Sequence, residues 1–287
     1  MADSSTKPVL ITLNVSHFCE KARWALRRCG IEYSEEAHVP VAHSFAVKAA
    51  GGRRSVPCLR LPTAAASEPS SSSSSGSSSP GCVDQSTPIM RWADQQCVAA
   101  GRCEPQAALF PPGERGAEVD RWCTELDKRL GPATRSWAYS HLLYSPLTGQ
   151  AMVAPPVPAA ERFVLRWGGW LLVRSLMAKG MGISAEAGAA ALQEIHRCFD
   201  EVGQLLADGR PFLCGDRFTA ADITFAALAA PAVGQPYAAA PGLSEQTPPA
   251  MRTEIEQLRA HPAGQFALRL WREQRAVVVP AVPPSSL

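Results

Sequence analysis

The stretch from Val9 to Gly30 leaves the chain few ways to begin. Val9 to Leu13 is a β-branched and leucine run long enough for one buried strand. Asn14 and Val15 form a short connection. Ser16 stands where a helix N-cap belongs, its hydroxyl able to accept a bond from a first-turn amide. Phe18, Ala22, Ala25, Leu26 and Cys29 follow at helical spacing and make one apolar stripe, with Glu20, Lys21, Arg23, Arg27 and Arg28 on the remaining faces. Gly30 comes where a left-handed C-cap residue is wanted. The order is strand, tight turn, helix, with a hydroxyl and a thiol three residues apart in the first turn.

Unpaired amides and the positive dipole end gather at a helix N-terminus, so an anion is favoured there. A thiolate is such an anion, and its pKa falls in that field. Ser16 can donate a hydrogen bond to the thiolate of a ligand, or Cys19 can itself be the thiolate. The plainer alternative is that Ser16 caps the helix and Cys19 packs. The residues of this stretch alone leave all three open.

Beyond Gly30, Ile31-Glu32-Tyr33 starts a second strand that runs on into Ser34-Glu35-Glu36. Val41 to Ala50 suits a short helix, followed by Gly51-Gly52. Ser55 to Leu61 reads as a third strand that begins with a Val-Pro step, a place where a cis bond is plausible although most such bonds are trans. Between Ser67 and Ser79 lie ten serines, so 63–81 is expected to be a disordered insertion. Cys82 to Asp84 resumes as a strand, and Ser86 caps a helix running to Ala99. The first hundred residues therefore read β-α-β-α-β-β-α.

Past Gly101 the periodicity becomes helical throughout. Val119, Trp122, Cys123, Leu126 and Leu130 form one stripe, ending near Gly131-Pro132. Thr134 to Leu143 resumes after that break. A proline-rich link, 154–158, precedes the apolar segment from Phe163 to Met177. Leu192, Ile195, Phe199, Val202 and Leu206 make another stripe, closed by Gly209. Thr219 with Asp222 forms a capping box, and Phe218 and Ile223 occupy the positions of a hydrophobic staple. Two more helices are expected, over 248–259 and 262–275. The expected division is an α/β unit over 7–100, a linker over 101–112, an all-helical unit over 113–276 and a loose proline-rich tail over 277–287.

A chain of 287 residues suits two domains. A net charge of +2, with scattered basic residues, gives no reason to expect a nucleic-acid surface. The segment from Phe163 to Met177 contains Arg166 and Arg174 and is too short to span a bilayer, so no membrane partner is expected. The N-terminal residues lack the apolar core of a signal peptide. Nine dispersed cysteines with no C-x-x-C pair then point to free thiols in a reducing cytoplasm rather than to disulfides. No metal site is expected, because Cys97 and Cys103 lack partner ligands at zinc spacing.

Four motifs carry a resemblance. Ser16-His17-Phe18-Cys19-Glu20-Lys21-Ala22-Arg23 resembles the active-site turn and first helix of the glutathione transferase family. Ser55-Val56-Pro57-Cys58-Leu59 is similar to its cis-proline strand, and Asp84-Gln85-Ser86-Thr87-Pro88-Ile89 to its acidic-Ser turn. Pro211 to Asp222 resembles the capping box of its helical domain. Their order and spacing match, and together they span most of the chain. The resemblance implies a thioredoxin-like N-terminal domain followed by an all-α C-terminal domain. It places Ser16 at the catalytic Ser or Cys position. Val56 would pair its backbone with the cysteinyl group of glutathione, held by cis-Pro57. Gln85 and Ser86 would hold the γ-glutamyl end, and Arg53 or Arg54 would meet the glycine carboxylate. Phe18 belongs to the same turn. Two residues depart from the family pattern: His17 stands for a commonly seen proline, and Gln85 for a commonly seen acid.

The first functional expectation is a glutathione transferase, with glutathione as cosubstrate and a small-molecule electrophile lying between Ser16 and the helical domain. Trp137, Tyr139 and His141 are candidates to line that space, with core aromatics and a surface histidine as the alternative for each. The second is thiol–disulfide exchange through Cys19. The third is a binding or scaffold protein that kept the fold without turnover. A homodimer is expected from the resemblance alone.

Overall fold

The computed structural model describes residues 7–62 and 81–279. Residues 63–80 of the serine-rich insertion and 280–287 of the tail lie outside the described residues.

Four short strands form one mixed sheet in the order β2-β1-β3-β4: β1 (Val9–Thr12), β2 (Ser34–Ala37), β3 (Cys58–Arg60) and β4 (Cys82–Asp84). β1 pairs with β2 in parallel and with β3 antiparallel, and β3 pairs antiparallel with β4. Side chains alternate across the sheet as a period of two requires. Leu10 and Leu59 join a large core with α1 (His17–Arg28) and α3 (Ser86–Ala99). Ile11, Cys58 and Cys82 instead cluster with Val47 of α2 (Ala42–Ala49). The sheet is thus sandwiched between helices, in the expected β-α-β-α-β-β-α order.

Three boundaries differ from the sequence reading, each for a local reason. β2 begins at Ser34 rather than Ile31, because Ile31 finishes α1. Gly30 turns left-handed at φ +63, its N–H bonds Arg27 O, and the Ile31 N–H reaches back to Leu26 O at 2.9 Å. β3 begins at Cys58, after the Val56–Pro57 step, which is cis. At α3 the N-cap is Gln85, at φ +74, and Ser86 is the buried first helical residue.

The helical half contains α4 (Glu114–Lys128), α5 (Leu130–Leu142), α6 (Pro146–Met152), α7 (Ala159–Val164), α8 (Trp170–Met181), α9 (Ala185–Leu206), α10 (Ala220–Ala229), α11 (Pro249–Ala260) and α12 (Pro262–Gln274). α4 ends at Lys128, just ahead of Gly131 and Pro132. They lie in the first turn of α5, where a proline is tolerated because its missing N–H would have no intrahelical partner. α10 is buried along its whole length, its alanines letting neighbours approach closely. The capping box forms as expected: the Asp222 carboxylate accepts from Thr219 N at 2.8 Å, Thr219 Oγ1 at 3.0 Å and Leu213 N at 2.9 Å. Burial nonetheless raises the Asp222 pKa to about 6. At the start of the tail, Val279 N bonds Arg28 O at 2.7 Å.

α1 is the hub, and it is buried on more faces than its apolar stripe covers. Glu20, Lys21 and Arg23 are all buried. Arg23 forks onto Glu35 of β2 (2.6 Å from Nη2, 3.0 Å from Nε), Thr12 donates to the same carboxylate at 2.7 Å, and Arg275 donates to Glu20 at 2.7 Å. Lys21 pairs with Asp127 of α4 and donates to Thr87 of α3 at 3.0 Å. Buried charges persist only when paired in this way. The helix that carries Ser16 is therefore locked to the sheet, to α3 and to the helical half.

Candidate active site at the start of α1

Ser16 occupies the N-cap of α1 with extended backbone, and its Oγ accepts from Cys19 N at 3.3 Å. The residue opens onto a cavity of about 570 Å³ between the sheet domain and the helical half. Val15, Ser16, His17 and Phe18 form one wall. Val41, His43, Phe45 and Lys48 of the α2 region and Arg54, Ser55 and Val56 ahead of β3 form a second. Arg135, Tyr139 and Leu142 of α5, Leu176, Met177, Gly180 and Met181 of α8, and Tyr237, Leu243 and Thr247 of the loop before α11 complete it.

The turn at Ser16 is held from outside. His17 is buried and its Nε2 lies 3.0 Å from Gly131 O, so that nitrogen carries the proton and donates. Burial depresses the imidazole pKa from 6.5 to about 3, with the nearby Arg135 and Lys21 adding to the effect. Phe18 lies against Gly131, where a Cβ would meet the ring at 2.4 Å, which is why α5 carries glycine at the contact. Asn14 Nδ2 donates to Ala154 O at 2.8 Å, and Tyr237 donates to Val15 O at 3.0 Å. Burial raises the pKa of Tyr139 to about 12 and that of Tyr237 above its ordinary value, so both phenols stay neutral.

Of the residues singled out from sequence, Ser16, Phe18, Arg54, Val56 and Tyr139 line the cavity together. Pro57, Gln85 and Ser86 are not among its lining residues, although the Gln85 N–H bonds Pro57 O at 3.0 Å, which ties the turn before α3 to the Val56–Pro57 step. Asp84, next in line, is buried. Its Oδ2 accepts from Arg53 N at 3.0 Å while its Oδ1 has no partner among the described residues. Arg53 itself is exposed and does not line the cavity.

Three candidates fall away from the cavity. Cys19 is wholly buried, and burial is the largest influence on its thiol, pushing the pKa up rather than down. Trp137 is a core residue in the large cluster around α1 and α10, and its indole N–H has no partner among the described residues. His141 packs edge-on against Trp137 at 5.6 Å between centroids, and burial lowers its pKa. On α5 the cavity-facing residues are Arg135, Ala138, Tyr139 and Leu142, a helical stripe that takes in Tyr139 and leaves out Trp137 and His141. Tyr237 and the Pro-Gly-rich loop that carries it were not singled out. The signal available was a lone tyrosine inside an otherwise small-residue, turn-forming stretch.

The lining residues include three cations, Lys48, Arg54 and Arg135, and no carboxylate. None of the three forms an ion pair among the described residues. With the N-terminus of α1 adding its own positive end, the cavity favours an anionic ligand that also has apolar surface.

The comparisons agree with this architecture. Residues 15–96 match the glutathione S-transferase N-terminal domain, and residues 185–252 match the glutathione S-transferase C-terminal domain. No curated protein sequence matches the chain. Among solved structures, the chain is similar to glutathione transferase URE2P6 from Phanerochaete chrysosporium in complex with oxidized glutathione, at 13% identity over 96% of this chain and 95% of that one, TM-score 0.58. It is similar to a Ceriporiopsis subvermispora glutathione S-transferase in complex with glutathione, at 16% identity over 96% and 100%, TM-score 0.57. It is similar to glutathione transferase F2 from Populus trichocarpa, at 13% identity over 94% and 95%, TM-score 0.56. At these identities the structures speak for the fold alone, whereas the two domain matches, in the order this fold requires, speak for descent: the chain belongs to the glutathione transferase family.

Proposed function

We propose that the protein binds glutathione along Val56, Gln85 and Ser86 and activates its thiol at Ser16 for attack on an electrophile held in the cavity. The observation that carries this reading is the junction of the Ser16 N-cap, the cis Val56–Pro57 step and an apolar cavity at one place. Val56 lies ahead of the β3 ladder, which starts its pairing at Cys58, so its backbone is not used by the sheet. A peptide laid beside it would set its thiol toward Ser16, with Arg54 or Lys48 at the far end for a carboxylate.

In this reading the Ser16 hydroxyl donates to the glutathione sulfur and stabilises the thiolate, the positive end of α1 acts in the same direction, and the thiol proton passes to solvent. The thiolate sulfur then bonds to the electrophilic carbon. The displaced group leaves with the electron pair, or, in an addition, water protonates the neighbouring atom. Nothing in this sequence uses Cys19. Its burial and raised pKa disfavour thiol–disulfide exchange through that residue.

The test is calorimetric titration with glutathione, followed by turnover of a generic chloronitroaryl electrophile. Ser16→Ala should leave binding nearly unchanged and slow conjugation on the order of ten- to a thousandfold, the range for losing one stabilising donor. Tight binding without turnover in the parent protein would instead mark it as a binding module. Absence of binding would refute the site.

A further inference from the structure

The segment Ala159–Met181 carries more exposed apolar surface than its core-facing role explains. Trp170, Val173 and Met177 of α8 pack inward on a small cluster with Val39, Met152 and Leu165. The opposite face is apolar too: Leu171, Leu172 and Leu176 are exposed by 57%, 65% and 51%. Just before them the helix breaks at Trp167 and Gly168, the glycine at φ +104, and this kink turns Trp167 outward at 79% exposure. The Trp167 ring lies 5.7 Å from that of Phe163, itself 62% exposed. The result is a ridge of exposed apolar side chains along the segment: Phe163, Val164, Trp167, Leu171, Leu172 and Leu176.

The charges around the ridge are of one sign. Arg162, Arg166, Arg174 and Lys179 lie in it, and no acidic residue occurs from 162 to 183. None of the four cations forms an ion pair among the described residues, and Arg174 rests on the exposed ring of Tyr144 at 5.1 Å. The adjoining Glu161 is already used, accepting from His38 Nδ1 at 2.6 Å and Val39 N at 2.9 Å. Trp, Phe and Leu in a row with unpaired Arg and Lys at their flanks are the composition of a helix that lies in a membrane interface. A second copy is the poorer occupant. An isologous contact would set these four cations against the same four with no acid to meet them.

We propose that this ridge seats the protein on an anionic lipid surface, with the apolar side chains reaching the headgroup–acyl boundary. No helix among the described residues is long and apolar enough to cross a bilayer, and the proposal requires none. It revises the sequence expectation of no membrane partner, which rested on spanning. Leu176, Met177, Gly180 and Met181 also line the cavity, and the half-exposed Val41 and the Phe45 ring (70% exposed) form its facing rim. Seating the ridge therefore brings the cavity mouth to the lipid boundary, whether or not the chain conjugates glutathione.

The experiment is co-sedimentation of the full chain with vesicles of phosphatidylcholine alone or with a third phosphatidylglycerol, alongside tryptophan emission. Binding to the anionic vesicles, weakened by salt, with an emission blue shift that Trp167→Leu removes, supports the proposal. Leu171→Gln with Leu172→Gln should weaken binding about tenfold or more. Arg166→Gln should weaken it about fivefold. Both sets of changes lie at exposed positions and should leave the circular dichroism unchanged. No binding to anionic vesicles, equal binding to both vesicle types, or unaltered binding of the variants would overturn it. So would ridge variants that only convert a dimer to a monomer.

Discussion

His17 and Asp222 are both buried, and their titrations pull stability in opposite directions over the same pH range. The folded-state pKa of His17 is depressed from 6.5 to about 3 by burial, which outweighs the opposing effect of its bond to Gly131 O. Its contribution is present above the unfolded value and is lost as pH falls toward the folded one, because the unfolded chain takes up the proton first. Linkage puts that loss at about 2 kcal/mol between about pH 7.5 and about pH 5. The pKa of Asp222 is raised from 3.8 to about 6, also by burial. The folded state holds this proton more tightly, so the contribution is present at low pH and is lost as pH rises through about 6. Acidification over the same interval therefore returns about 1 kcal/mol. The parent protein should show only a shallow net dependence from this pair. His17→Gln keeps an amide donor for Gly131 but cannot titrate, and its stability relative to the parent should rise by about 2 kcal/mol across the interval. Asp222→Asn should fall by about 1 kcal/mol relative to the parent. Urea unfolding at a series of pH values, followed by both circular dichroism and tryptophan emission, measures these differences, and all other groups cancel in them. A flat difference for His17→Gln would mean that the imidazole is not desolvated, and the docking of the turn at Ser16 onto α5 would be wrong.

Gly131→Ala should place a methyl 2.4 Å from the Phe18 ring. It should cost on the order of 1–3 kcal/mol against a helix-propensity gain of about 1, with weaker glutathione binding, read by thermal unfolding and titration. Thr219→Ala should lower stability by about 1 kcal/mol without changing glutathione affinity in the folded fraction. Cys19→Ala should cost stability by leaving a small cavity in the core while conjugation persists. Complete loss of conjugation at unchanged stability would return Cys19 to the chemistry.

The fold was legible because the signals were local. The βα unit at Val9–Gly30, the cis Val56–Pro57 step and the Thr219–Asp222 box each specify backbone within a few residues. What was not legible depends on partners far along the chain. The charges of α1 lie outside its apolar stripe with no partner evident in the sequence, yet Arg23 meets Glu35, Glu20 meets Arg275 and Lys21 meets Asp127, the last two pairs separated by more than a hundred residues. On α5 the aromatic residues drew attention, but a stripe is assigned to core or cavity by the helix rotation. That rotation is set by Gly131 accepting the His17 bond and giving room to Phe18. Tyr237 reaches Val15 across 222 positions, a separation at which no spacing rule operates.

The two readings of Ser16, helix cap or thiolate donor, would use different parts of one hydroxyl. Capping takes a lone pair of Oγ, which accepts the Cys19 N–H. Chemistry takes the hydroxyl hydrogen, which the cap leaves available. Within the protein that hydrogen's neighbour is the Cys19 thiol, held neutral by burial. A neutral sulfur is a weak acceptor, whereas a thiolate offers a charge-assisted bond roughly twice as strong as a neutral one. An incoming thiolate should therefore take the hydrogen without disturbing the cap, since the accepting lone pair is unaffected. The N-cap bond also fixes the position of Oγ relative to the amides of the first turn, so the hydroxyl and the helix end act at the same point. In the proposed reading Cys19 would serve the site through its backbone N–H, and the three-residue spacing of Ser16 and Cys19 is the spacing of a cap. Replacing the thiol should then leave the Ser16 geometry intact, whereas a helix-breaking change at Cys19 should damage both stability and thiolate stabilisation together.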